Sequence, residues 1–144
     1  LGKLHEKGEG VKQDYYMASE WFRLAADIGN HAEAQFALGE LYFNGRGVSH
    51  DYGEAVKWYM KAARQGHGAA QFVMGAMFQE GWGLKRDYVE AYTWYTLAMA
   101  KRPQVMAVNQ RLDPTAARQA LTKKMNRHQI QRAEKKAKDW RPVR

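Results

Sequence analysis

Two pairs of carboxylates, Asp51 with Glu54 and Asp87 with Glu90, stand three residues apart, a spacing that would put a general acid beside a general base on one helical turn. Their placement gives them another task. Each pair opens a stretch with helical apolar periodicity, where a D-x-x-E box turns both side chains toward the orphan N–H groups of the first turn. Gly45-Arg46-Gly47 and Gly81-Trp82-Gly83 have the glycine density of a phosphate loop. No strand pattern precedes them and no third glycine follows at the fingerprint spacing, so they read as turns. His5, His31, His50, His67 and His128 form no H-x-x-x-H pair, and none sits beside a second ligand type at metal spacing. Ser19 and Ser49 lack an evident base and a G-x-S-x-G elbow. The chain has no cysteine, which removes thiol nucleophiles, thiolate metal sites and a disulfide framework. The expectation is a chain with no catalytic residues, no cofactor and no metal, hence not an enzyme.

The elements that hold these residues recur. Gly39, Gly45, Gly47, Asp51, Tyr52, Ala55, Trp58, Tyr59 and Ala62 return 36 positions later as Gly75, Gly81, Gly83, Asp87, Tyr88, Ala91, Trp94, Tyr95 and Ala98. An earlier copy lies 37 positions back, with Gly2, Gly8, Gly10, Asp14, Tyr15, Ala18, Trp21, Ala25, Ala26 and Gly29. The extra residue falls between Gly29 and Gln35, where a turn absorbs it. A fixed period of this length marks a stacked-repeat architecture. At 144 residues the chain is one domain, long enough to bury roughly 68–70% of its unfolded surface. No apolar run approaches the ~20 residues needed to span a bilayer.

Within a repeat, helix A runs from about Ala32 to Asn44 and from about Gly68 to Glu80. Ala34, Leu38, Leu41 and Tyr42, then Ala70, Met74, Met77 and Phe78, fall at i, i+4, i+7 and i+8 and form its core face. Gly45 and Gly81 follow at once, as Gly8 does in the first copy, and close the helix in the left-handed conformation. Helix B starts at the recurring aspartate, buries Tyr52, Ala55, Val56, Tyr59, Ala62 and Ala63, and ends near Gly66. Asp14 lacks the box partner, since Met17 stands there. Two antiparallel helices per repeat, stacked, give an all-α, right-handed α/α superhelix of about three helix-turn-helix repeats. Leu1-Gly2 corresponds to Leu38-Gly39, so the first repeat is expected to be truncated and the parent protein longer.

Beyond residue 100 the period lapses, and residues 101–144 read as a degenerate repeat followed by basic capping helices. Pro103 opens a short helix, and Asp113-Pro114 caps and starts another to about Met125. Asn126 with Gln129 forms a box before a last helix of about Arg127 to Asp139. Its apolar stripe is Ile130, Ala133, Ala137 and Trp140; Arg127, Arg132, Lys135, Lys136 and Lys138 point outward. The formal net charge of +8 has this one source. Residues 1–100 hold 10 Lys and Arg against 12 Asp and Glu, whereas residues 101–144 hold 13 against 3.

The pattern A-x-x-x-L-G-x-x-Y-x-x-G-x-G-V-x-x-D-Y-x-x-A-x-x-W-Y-x-x-A-A-x-x-G, which Ala34 to Gly66 follow at nearly every position, resembles the Sel-one-like repeat (SLR) family. The resemblance covers residues 1–100. Departures are His5 at the place of Tyr42 and Phe78, Met99 at the place of Ala26 and Ala63, and Leu84 at the place of Val11 and Val48. The resemblance implies a scaffold for protein–protein interaction whose helices A line the concave wall. Such scaffolds are common in bacterial envelope, secreted and virulence-associated proteins and in eukaryotic quality-control adaptors, so the resemblance leans toward a bacterial, exported or periplasmic setting and leaves the compartment open.

On helix A the face not used by the core reads Glu33, Phe36, Ala37, Glu40, Phe43 and Asn44, and in the next repeat Ala69, Phe72, Val73, Ala76, Gln79 and Glu80. Glu33, Phe36, Glu40, Phe43, Phe72, Ala76, Gln79 and Trp82 are the expected partner-binding residues, since aromatics in a groove are typical hot spots. The competing expectation is that Phe36 and Phe72, at matching positions, pack against their own scaffold. Trp82 replaces Glu9 and Arg46 of the other copies, so the repeat does not require an aromatic there; it is either a contact residue or a lid on helix B. The leading expectation is a partner protein or peptide on the concave wall. The alternative is a nucleic acid or anionic surface bound by the basic tail, with the lysines of a solvated cap as the simpler reading.

Overall fold

The computed structural model of the chain describes residues 31–45 and 50–143, together with positions 17, 20, 21 and 24. Among the described residues there are helices and turns and no strand. The helices are α1 (Ala32–Asn44), α2 (Tyr52–Arg64), α3 (Gly68–Glu80), α4 (Tyr88–Met99), α5 (Arg102–Val108), α6 (Pro114–Thr122) and α7 (Arg127–Asp139). The expected roles of Gly8, Asp14 and Gly47 lie outside the described residues.

Local chemistry sets the helix boundaries. Asp51 and Asp87 are extended, and their carboxylates accept the N–H groups of Glu54 at 3.0 Å and Glu90 at 3.1 Å. That is the aspartate half of each expected box. The Glu90 carboxylate instead takes Lys136 Nζ from α7, tying the last helix to the start of α4. The reciprocal box forms at α7, where Gln129 N–H donates to Asn126 at 2.8 Å and Asn126 N–H donates to Gln129 at 2.9 Å. Gly45 and Gly81 close α1 and α3 with φ of 68° and 74°, values that cost a residue without Cβ nothing. Helix α6 stops at Thr122, short of the expected Met125. Lys124 and Met125 donate to Leu121 and Thr122, and these i→i−3 bonds tighten the chain into the turn before Asn126.

Successive helices pack serially, α1 on α2, α2 on α3 and α3 on α4, after which α4 receives both α6 and α7. Leu38, Ala55, Ala62, Ala63, Ala70, Met74 and Met77 are fully buried between them. Ala34, Tyr52, Val56 and Phe78, expected in the core, are only partly covered and sit at its margin. The closest approach within a hairpin occurs at Gly39 and Gly75. A Cβ there would stand 2.7 Å from Tyr59 Cδ1 and 2.6 Å from Tyr95 Cδ1, so both tyrosine rings lie flat on bare helix backbone. A second cluster, of Val89, Ala91, Tyr92, Tyr95, Leu121 and Ala133, joins α4 to α6 and α7. Trp140 meets Trp94 edge-on at 6.3 Å, closing the stripe predicted for the last helix. Among the described residues no helix is long and apolar enough to cross a membrane.

Candidate interaction wall

Helices α1 and α3 present the same face one repeat apart, so each wall residue can be compared with its counterpart. Phe36 is 8% exposed. Its ring lies 5.5 Å from Tyr59 at 49°, and Phe72 lies 5.3 Å from Tyr95 at the same angle. A contact repeated with such fidelity belongs to the scaffold, and the packing alternative describes both phenylalanines. Phe72 keeps part of its ring uncovered; Phe36 is further covered by His67, stacked at 4.7 Å.

His67 is a joint that sequence reading passed over. Its Nδ1 accepts the N–H of Ala70 at 3.1 Å, capping α3, so the ring proton sits on Nε2. Nε2 donates to Glu33 Oε1 at 2.8 Å. The pair therefore links the start of α3 to the first turn of α1, with Glu33 itself largely in solvent. An imidazole directly before an apolar helix, at a position with cap preference, was the available signal.

Burial, seconded by the Glu40 and Glu80 carboxylates, pushes the Tyr59 and Tyr95 hydroxyls well above the ordinary tyrosine value of 10.0. Both stay neutral and act as packing groups. Tyr95 donates to Gln79 Oε1 at 2.8 Å, which places this wall residue against helix B rather than free in the groove. Glu40 and Ala76 are half-buried.

Phe43, Tyr52 and Trp82 come together where two repeats meet. Trp82 stacks on Tyr52 at 6.0 Å and 17°, meets Phe43 edge-on at 5.7 Å, and keeps 38% of its surface exposed. Phe43 in turn contacts Tyr52 at 5.2 Å, and His50 meets Tyr52 edge-on at 4.4 Å. Trp82 is thus a lid on the first turn of α2 whose outer surface is still available. Tyr52 was read only as a core residue and turns out to be the platform of this cluster.

The basic residues Arg127, Arg132, Lys135, Lys136 and Lys138 are exposed, as expected. Two carry internal partners: Lys135 Nζ donates to Asp139 at 2.7 Å, and Lys136 reaches Glu90. Among the described residues no group of His, Asp and Glu is arranged to hold a metal ion.

The Sel1 repeat matches this chain three times, over residues 1–30, 32–67 and 68–101. The chain belongs to the Sel1 repeat family, an all-α solenoid class whose members generally serve as protein–protein interaction scaffolds. It is similar to a protective antigen present in uropathogenic Escherichia coli strains that displays an SLR fold, with 36% identity and a TM-score of 0.77 over 90% of this chain. It is also similar to a Sel1 repeat protein from Oxalobacter formigenes, with 44% identity and a TM-score of 0.59 over 69% of this chain. The chain spans 26% of the first and 40% of the second. No curated protein matches it.

Proposed function

We propose that this chain is a non-catalytic adaptor that binds a peptide or helix of another protein along the wall of α1 and α3, with the Phe43–Tyr52–Trp82 cluster as its anchor point. The observation that carries the reading is Trp82. The repeat supplies Glu9 and Arg46 at the equivalent places, yet here an indole bridges two repeats and leaves 38% of itself in solvent. Large aromatics at a rim with part of their surface free are typical binding anchors. Glu33, in the first turn of α1, and Glu40, further along it, add negative charge to the wall and favour a partner segment with basic residues. The ion pairs of Lys135 and Lys136 support reading residues 101–144 as a solvated cap.

The test is affinity capture with wild type, Trp82→Ala, Glu40→Lys and an Arg127→Gln/Arg132→Gln/Lys135→Gln triple variant, each checked for helical circular dichroism. Trp82→Ala should weaken capture by a hot-spot increment of about 2 kcal/mol or more, and the triple variant should capture as well as wild type. Capture that survives both wall substitutions and disappears in the triple variant overturns the assignment to the wall.

A further inference from the structure

Trp82 belongs to the loop between α3 and α4, yet the rings it meets, Phe43 and Tyr52, belong to the preceding repeat. The loop is held at both ends. On one side the N–H groups of Gly81 and Trp82 donate to Met77 O at 2.7 and 3.1 Å. On the other, Leu84 packs against the main core cluster and Asp87 N–H donates to Phe78 O at 2.9 Å. Between them stands Gly83, with φ of 75°. A Cβ built on it would lie 2.5 Å from the carbonyl oxygen of Tyr52, 2.7 Å from its carbonyl carbon and 3.0 Å from its Cβ. The obstacle is the backbone of the first turn of α2, which cannot turn aside as the tip of a side chain can.

Gly81 supplies the comparison. Its φ is 74°, but a Cβ there would meet nothing closer than Arg86 Cβ and N at 3.5 Å, an ordinary van der Waals contact. The two glycines share the left-handed conformation that L side chains resist; Gly83 alone adds the close approach. Gly10 and Gly47 hold the same register in the other copies, beside Glu9 and Arg46. The glycine therefore belongs to the repeat, and the indole beside it to this copy.

We propose that Gly83 is the positioning residue of the Trp82 anchor. By letting the loop lie directly on the Tyr52 backbone, it lays the indole on the Tyr52 ring at 17° while 38% of Trp82 stays in solvent. A side chain at position 83 lifts the loop from α2. Because Leu84 and the Met77 carbonyl hold the ends, the displacement falls on Trp82 and its stack. The anchor is thus a property of the junction: one repeat supplies the indole, the other the platform, and a missing Cβ sets the gap between them. That Trp82 contacts a partner rests on the function proposed above; that Gly83 seats it does not.

The test compares Gly83→Ala with Gly81→Ala in the full chain by NMR, with the Trp82 indole signal assigned through Trp82→Phe. Wild type should show cross-relaxation between the Trp82 indole and the Tyr52 ring. Gly83→Ala should lose it and keep the Trp94–Trp140 contact, which reports an intact fold. Gly81→Ala, with the same backbone strain, should keep both. A Trp82–Tyr52 contact that persists in Gly83→Ala, or vanishes equally in Gly81→Ala, overturns the proposal. Urea titration gives a second reading through a double-mutant cycle. The stability lost through Gly83→Ala should shrink in a Trp82→Ala background, where no stack remains to lose, and that lost through Gly81→Ala should not; a Gly83→Ala loss equal in both backgrounds overturns the proposal too. Both readings are made on the free chain, so a failure of the seat is told apart from a failure of Trp82→Ala to weaken capture.

Discussion

Replacing Gly75 with alanine tests whether the tyrosine rings set the spacing inside each hairpin. In an ordinary helix interior the change stabilises by about 1 kcal/mol, because alanine loses less backbone entropy. Here the new Cβ would lie 2.6 Å from both Tyr95 Cδ1 and Cε1 and 3.2 Å from Ala91 O. Tyr95 is 3% exposed and its hydroxyl is bonded to Gln79, so the ring cannot swing aside without surrendering that bond and disturbing the second core cluster. Overpacking of this kind costs about 1–3 kcal/mol, and a lost hydrogen bond about 1 more. Subtracting the helix gain leaves a destabilisation of about 1–3 kcal/mol. Urea denaturation followed by circular dichroism reads it as a lower midpoint at unchanged slope. The cause is isolated by repeating the change in a Tyr95→Leu background, where the methyl has room and Gly75→Ala should be neutral or stabilising. A loss of the same size in both backgrounds would refute the steric argument.

Two further outcomes follow from the geometry. The folded chain holds the protons of Tyr59 and Tyr95 more tightly than the unfolded chain does, because burial raises both hydroxyls above 10.0. Their contribution is complete below pH 10 and is lost above it, at up to about 1.4 kcal/mol per pH unit for each tyrosine. Stability measured by urea titration should thus fall between pH 10 and 11 by about 2 kcal/mol from this pair, since the unfolded tyrosines are only half ionised at pH 10, and Tyr59→Phe should remove half of the fall; parallel curves for variant and wild type would contradict it. For the tail, binding to a DNA duplex or anionic vesicles should be weak and unaffected by the Arg127→Gln/Arg132→Gln/Lys135→Gln substitutions. Tight binding that drops steeply between ~50 and ~200 mM salt and vanishes in the triple variant would instead favour an anionic partner.

The helices were legible because each carries its own punctuation. Asp51, Asp87, Asp113 and Asn126 announce starts, Gly45 and Gly81 announce ends, and the 36-residue period places the core between them. The site was less legible, since period alone cannot tell a wall residue from a packing residue. Phe36 and Phe72 share a register with Glu33 and Glu40, and the decisive contacts, with Tyr59, Tyr95 and His67, are set by how neighbouring helices approach. The glutamate half missing at Asp87 has the same origin: Glu90 meets a lysine 46 residues away, a pairing that exists only after α7 has packed on α4.

Phe36–Tyr59 and Phe72–Tyr95, like Gly39–Tyr59 and Gly75–Tyr95, are the same contact written twice in one molecule. Any substitution made at one site has a built-in replicate, identical in local chemistry and different only in its neighbours. The difference between the two costs therefore measures what adjacent repeats contribute to each other, separately from what a hairpin contributes to itself. In a solenoid whose stability is a sum of unit and nearest-neighbour terms, that difference bears on how far an unfolding event spreads. Since α4 is held by α6 and α7 as well as α3, the cost at Gly75 also includes what the elements beyond the repeats contribute.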